Sequence, residues 1–135
     1  MYIMAMKIQI NPIQGKAGQV LVVPHGSIDN DTYTEFDQKL KHLLSPATQN
    51  IIMDLADVEY ISSAGLGVIF NIKKYLVSNN GDLFFCNLKP QIKRLFEIVK
   101  ALPTETLFKT REEADEYLYN MMNRVIDEEN KKRSP

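Results

Sequence analysis

The residues with the most chemical promise in this chain are the two serines and two glycines of S-S-A-G-L-G, residues 62–67, between the apolar run I-I-M-D-L and V-I-F-N-I-K-K-Y-L. Such a group could cradle a phosphate, supply a serine nucleophile, or display a hydroxyl at a helix start for another protein to modify or read. The loop contains G-x-G but lacks the third glycine of a dinucleotide fingerprint and the lysine-hydroxyl pair of a P-loop. A nucleophile elbow needs glycine two residues before the serine, and for Ser63 that residue is Ile61. Of the two histidines, His25 follows Pro24 and could lie near the loop, but reads more simply as an edge-of-sheet residue; His42 falls on a polar helix stretch facing solvent. Two histidines and the single Cys86 show no ligand-like spacing, so no metal site is expected. Asp29, Asp31, Asp54 and Asp57 are accounted for as turn formers, caps and strand ends. What remains for the loop is a helix start. Ser63 is expected as its N-cap, with Gly65 and Gly67 permitting close packing of helix on sheet. A hydroxyl at the positive end of a helix also tolerates an added phosphate.

The elements around the loop follow from pattern. K-I-Q-I-N-P-I-Q, the G-K-A-G turn at 15–18 and Q-V-L-V-V-P predict a hairpin whose Pro12 belongs on an edge strand. Thr32 and Glu35 have capping-box spacing, and Tyr33, Phe36, Leu40 and Leu43 define a helix running to Ser45-Pro46. The continuous apolar run at 50–55 predicts a parallel strand covered on both faces. After the loop, Leu66, Ile69, Phe70, Tyr75 and Leu76 give a second helix an apolar side, ending before N-N-G at 79–81. L-F-F-C-N is strand-like, with Cys86 expected as a buried, inert thiol. Pro90 opens a third helix on Ile92, Leu95, Phe96 and Val99. T-L-F-K predicts a brief strand, and Thr110 with Glu113 caps a last helix carrying Ala114, Tyr117, Leu118, Met121 and Val125 on one side. The expected architecture is a single α/β domain over residues 1–126, a mixed sheet of four to five strands covered by about four helices. Residues 127–135, D-E-E-N-K-K-R-S-P, form a charged tail with no apolar residue.

Bulk properties narrow the partners. In 135 residues, 44% of them hydrophobic, sixteen basic and seventeen acidic residues leave a net charge of −1, which favours neither nucleic acid nor membrane surfaces. A protein or small ligand fits better. One cysteine forms no internal disulfide, and neither a signal-peptide core nor a spanning run of apolar residues is visible, so a soluble, cytoplasmic protein is expected.

D-L-A-D-V-E-Y-I-S-S-A-G-L-G-V-I-F, residues 54–70, resembles the signature of the STAS family, the anti-sigma factor antagonists of bacteria, in which a strand enters a helix through (D/S)-S-(S/T/A)-G-L-G. G-S-I-D at 26–29 is similar to the family's G-x-(L/I)-D, and K-P-Q-I-K-R-L-F-E-I at 89–98 to its S/K-P-x-V-x-x-L-F. The resemblance implies a non-enzymatic switch without a cofactor. Ser63, with Ser62 as second choice, is phosphorylated by a kinase of the histidine-kinase-like ATPase type that is itself the anti-sigma factor, and a PP2C-type phosphatase reverses it. The unphosphorylated form binds the anti-sigma factor and frees the sigma factor, regulating transcription. It also implies a contact surface of Asp29 and Asn30 with Ser62, Ser63, Ala64, Gly65, Leu66 and Gly67. Many members carry aspartate where this chain has Ser62. Two alternatives accompany this expectation: a STAS module in another partner-switching circuit, and a small-molecule or nucleotide-binding module with weak hydrolytic activity.

Overall fold

Reversal of the chain at the first turn rests on two glycines, Gly15 at φ 79° and Gly18 at φ 78°, dihedrals that side chains resist. The computed structural model describes residues 6–101 and 111–133. In it the turn joins β1 (Lys7–Pro12) to β2 (Gln19–His25), paired antiparallel from Lys7 opposite His25 to Pro12 opposite Val20. The chain continues as α1 (Tyr33–Lys41), β3 (Asn50–Asp54), α2 (Ser63–Ser78), β4 (Asp82–Cys86), α3 (Pro90–Ala101) and α4 (Arg111–Arg133). The described sheet has the order β1-β2-β3-β4, which puts Pro12 on an edge strand. β2 pairs parallel with β3, and β3 parallel with β4. Since both crossovers step the same way along the sheet, α1 and α2 lie side by side on one face.

Val20, Val22, Ile51, Met53 and Leu83 point into the core beneath these helices, against Phe36 and Leu40 of α1 and Ile69, Ile72 and Leu76 of α2. The alternate residues do not share that burial. β3 is therefore covered on one face rather than two, because Ile52 is only half-buried, flanked in register by Leu21 and by Phe84, itself 51% exposed. A continuous apolar run arises here without a second layer, since cross-strand neighbours shelter one another. Cys86 is likewise half-buried, not buried. Partial burial and the nearby Asp54 carboxylate push its thiol pKa up, which keeps it protonated and slow to react.

Other expectations also shift. The Thr32–Glu35 capping box does not form, for Glu35 instead accepts the Met6 backbone N–H at 2.8 Å and the Thr32 hydroxyl donates to Ser27 O at 2.8 Å. α1 stops at Lys41, well before Ser45-Pro46, while Leu43 and Leu44 still pack on the core from the following turn. Phe70 is 43% exposed: the buried stripe of α2 runs through residues 65, 69, 72 and 76, and Phe70 falls beside it. α3 holds Ile92 and Leu95 fully buried, with the Phe96 ring 4.8 Å from that of Phe85. On α4, Met122 is the buried side chain among those described, and Val125 is half-buried. The side chains of Ala114, Tyr117, Leu118 and Met121, the T-L-F-K segment and the Thr110–Glu113 pair lie outside the described residues. Residues 127–133 continue α4. Among the described residues, no helix is long and apolar enough to cross a membrane and no acidic, histidine and cysteine cluster could hold a metal ion.

Candidate functional site

Past the C-terminal ends of β2 and β3 the two chains stay side by side. Gly26 N–H donates to Asp57 O at 3.0 Å and Ile28 N–H to Tyr60 O at 3.0 Å. Ser62 N–H returns to Ile28 O at 2.8 Å, making an isolated parallel bridge between Ile28 and Ile61. This extension carries Asp29, 33 positions away in sequence from Ser62, to the start of α2. The contact is tight because Gly65 has no side chain: a Cβ there would sit 2.6 Å from Ile28 Cγ2 and 2.9 Å from Ile28 O. Gly67 differs. Nothing lies within 4 Å of where its Cβ would be, so packing does not require glycine there.

The helix begins one residue earlier than its sequence suggests. Ser62, at φ −78° and ψ 170°, is the N-cap, and its Oγ accepts the Gly65 N–H at 3.2 Å. Ser63, expected as the cap, is the first helical residue. The reason is local: the bridge to Ile28 holds the backbone through Ser62 extended, and the first intrahelical bond, Leu66 N–H to Ser62 O at 2.9 Å, closes from there. Serine at position 62 thus supplies a side-chain oxygen in the capping position. The Ser63 Oγ is shielded from solvent in the conformation observed.

Asp29 is held by its own turn. Its Oδ1 accepts the backbone N–H groups of Asp31 at 2.9 Å and Thr32 at 3.1 Å, while its own N–H donates to Thr32 Oγ1 at 2.9 Å. Asn30 beside it is exposed. His25 does not join the serines: its Nδ1 is 2.7 Å from Asp57 Oδ2, at the far end of the β3–α2 connection. His25 therefore does not serve as a base for either serine of the loop.

Asp29, Asn30, Ile61 and Ser62 line a cleft of about 310 Å³ together with Tyr60, Tyr119 and Met122. The last two come from α4, and sequence reasoning missed them with Tyr60. The Tyr60 and Tyr119 rings stack with centroids 5.4 Å apart and 22° between planes, and the Tyr60 hydroxyl donates to Asn123 Oδ1 at 2.6 Å. Burial, with Tyr119, Glu59 and Asp127 nearby, raises the Tyr60 pKa above its ordinary value. No periodicity signals a contact between residues so far apart; the only hint is a tyrosine two positions ahead of the paired serines.

The STAS domain family matches residues 11–114 of this chain. BtrV of Bordetella bronchiseptica, provisionally named an anti-sigma factor antagonist, is 28% identical over 109 residues, covering 81% of this chain and 91% of its own. The anti-sigma-B factor antagonist of Staphylococcus aureus is 33% identical over 73 residues, 54% of this chain and 68% of that one. Among solved structures, the anti-sigma factor antagonist SpoIIAA in its unphosphorylated form superposes with a TM-score of 0.58 at 18% identity, covering 84% of this chain and 98% of SpoIIAA. The phosphorylated form of this Bacillus cell fate determinant gives a TM-score of 0.57 at 17% identity over 69% of this chain and 83% of that one. The four-stranded mixed sheet with its helices is thus the fold of these proteins.

Proposed function

Because the chain belongs to the STAS domain family, we propose that it is an anti-sigma factor antagonist that acts by binding rather than by catalysis. Unphosphorylated, it sequesters an anti-sigma factor that is also a serine kinase of the histidine-kinase-like ATPase type, releasing a sigma factor to transcribe. Phosphorylation of Ser63 ends that binding, and a PP2C-type phosphatase restores it. The names of the relatives support the antagonist role, and SpoIIAA having both a phosphorylated and an unphosphorylated form supports the switch.

One observation carries the reading: a serine stands at the first position of α2, directly after an occupied cap and next to an aspartate stitched alongside by the Ile28–Ile61 bridge. Ser62 already uses its oxygen to cap Gly65. Ser63, in the family's register, is taken as the phosphate acceptor. The contact surface comprises Asp29, Asn30 and residues 62–67, with the open space above Gly67 admitting the partner's approach. Incubation with purified candidate kinases and ATP, followed by intact mass and peptide mapping, tests the assignment. One phosphate on Ser63 is expected. Modification of Ser62 alone refutes the register, and no modification by any such kinase places the chain in a constitutive binding class.

A further inference from the structure

We propose that α4 completes the partner-recognition surface, with Tyr119 and Met122 forming the wall of a cleft that takes one apolar side chain of the serine-kinase anti-sigma factor. This rests on the function proposed above and names a specificity element within it. The cleft joins the loop directly, since Ser62 both caps α2 and lines it. A kinase closing over Ser63 therefore covers the cleft as well.

Its chemistry fits a side chain. About 310 Å³ is at the lower end of ligand-binding cavities. Tyr60, Ile61, Tyr119 and Met122 make the lining largely apolar, the Tyr60 hydroxyl is already engaged by Asn123, and Asp29, Asn30 and Ser62 add the remaining polar groups. A small metabolite would need polar groups converging from several sides to fix its orientation. Tyr119 remains 54% exposed although one ring face is stacked on Tyr60. A ring already held in place loses little freedom on contact, and tyrosines of this kind dominate interface affinity. The wall itself is anchored by buried Met122 and by the Tyr60–Asn123 hydrogen bond. Because the wall and the S-S-A-G-L-G loop come from separate segments, changes on α4 retune partner choice without altering the phosphorylated residue.

The probe is the purified histidine-kinase-like serine kinase of the source genome that phosphorylates the wild-type chain. KM and kcat of that phosphorylation are measured for wild type, Tyr119→Ala and Tyr119→Phe, each checked by thermal melting. Separately, the Met122 methyl resonance of the wild-type chain is followed on adding the kinase without ATP. Tyr119→Ala is expected to raise KM at least about tenfold with kcat unchanged. Tyr119→Phe should restore most of the loss, and the Met122 methyl should shift. An unchanged KM in a folded Tyr119→Ala, a loss confined to kcat, or a Met122 methyl that stays still while the amides of 62–66 move overturns the inference alone. If Tyr119→Ala does not melt cooperatively, the Met122 resonance decides. If no kinase of this class modifies or binds the chain, the proposed function falls first and the inference with it.

Discussion

Ser62 and Ser63 are adjacent and chemically identical, yet we infer separate duties for their hydroxyls. Ser62 satisfies a backbone donor of the first turn of α2, a contact whose loss costs about 1 kcal/mol at a typical N-cap. Ser63 makes no cap. Ser62→Ala should therefore lower stability by about 0.5–2 kcal/mol, whereas Ser62→Asp, which keeps a capping oxygen, should stay near wild type. Ser63→Ala should melt close to wild type while resisting phosphorylation and binding the kinase constitutively. Denaturant unfolding of the three variants separates them. Equal losses for the two alanine variants would contradict the division of labour. Sequence placed the cap one residue late, since the bridge holding Ser62 extended is made with Ile28, far away in the chain.

At the level of elements, the site is assembled by α2 packing on the β2–α1 connection through Gly65, and by α4 docking through Tyr60. The second contact depends on pH. Burial and neighbouring acidic groups raise the folded pKa of Tyr60 above its ordinary value of 10.0, so the folded state holds that proton more tightly than the unfolded one. Its contribution is complete below the unfolded value and is lost as pH rises from there through the folded value. Stability should fall in that alkaline window, and Tyr60→Phe should flatten the fall while losing the hydrogen bond to Asn123 at every pH. Thermal melts from neutral to strongly alkaline pH check this, and an equal alkaline slope in wild type and Tyr60→Phe would contradict it. Elements defined by local pattern were legible in sequence. Gly15 and Gly18 marked the hairpin, Ile92 and Leu95 the buried stripe of α3, and N-N-G the end of α2. Features decided by distant partners were not: Glu35 was drawn to Met6, Ile52 was sheltered by cross-strand neighbours, and Tyr60 found Tyr119 across 59 positions.

Across the molecule, the core closes beneath one face of the sheet and ends on α4 at Met122. Beyond Ile126 the described side chains are charged or polar, and all but Glu129 are exposed. We infer that the folding unit spans residues 1–126 and that 127–135 add little. Truncation after Ile126 should move the melting temperature by no more than about 3 °C, the shift that under 1 kcal/mol gives in a domain of this size. A larger drop, or lost kinase binding, would show that the end of α4 docks.

Phosphorylation of Ser63 is expected to act on the interface and not on the fold. A phosphate on Ser63 adds about −1.5 to −2 charge, which at a helix N-terminus meets a favourable dipole interaction of about 0.3–1 kcal/mol. The helix cap is made by Ser62, not by the modified residue. Against a surface shaped for a hydroxyl, the same dianion must be desolvated at a cost of several kcal/mol. The direct measurement is a calorimetric titration of the kinase with unphosphorylated and Ser63-phosphorylated protein, paired with melting curves of both. A loss of affinity of roughly a hundredfold or more is expected, with melting temperatures close together. Equal affinities, or a phosphorylated protein without a cooperative melting transition, would contradict it.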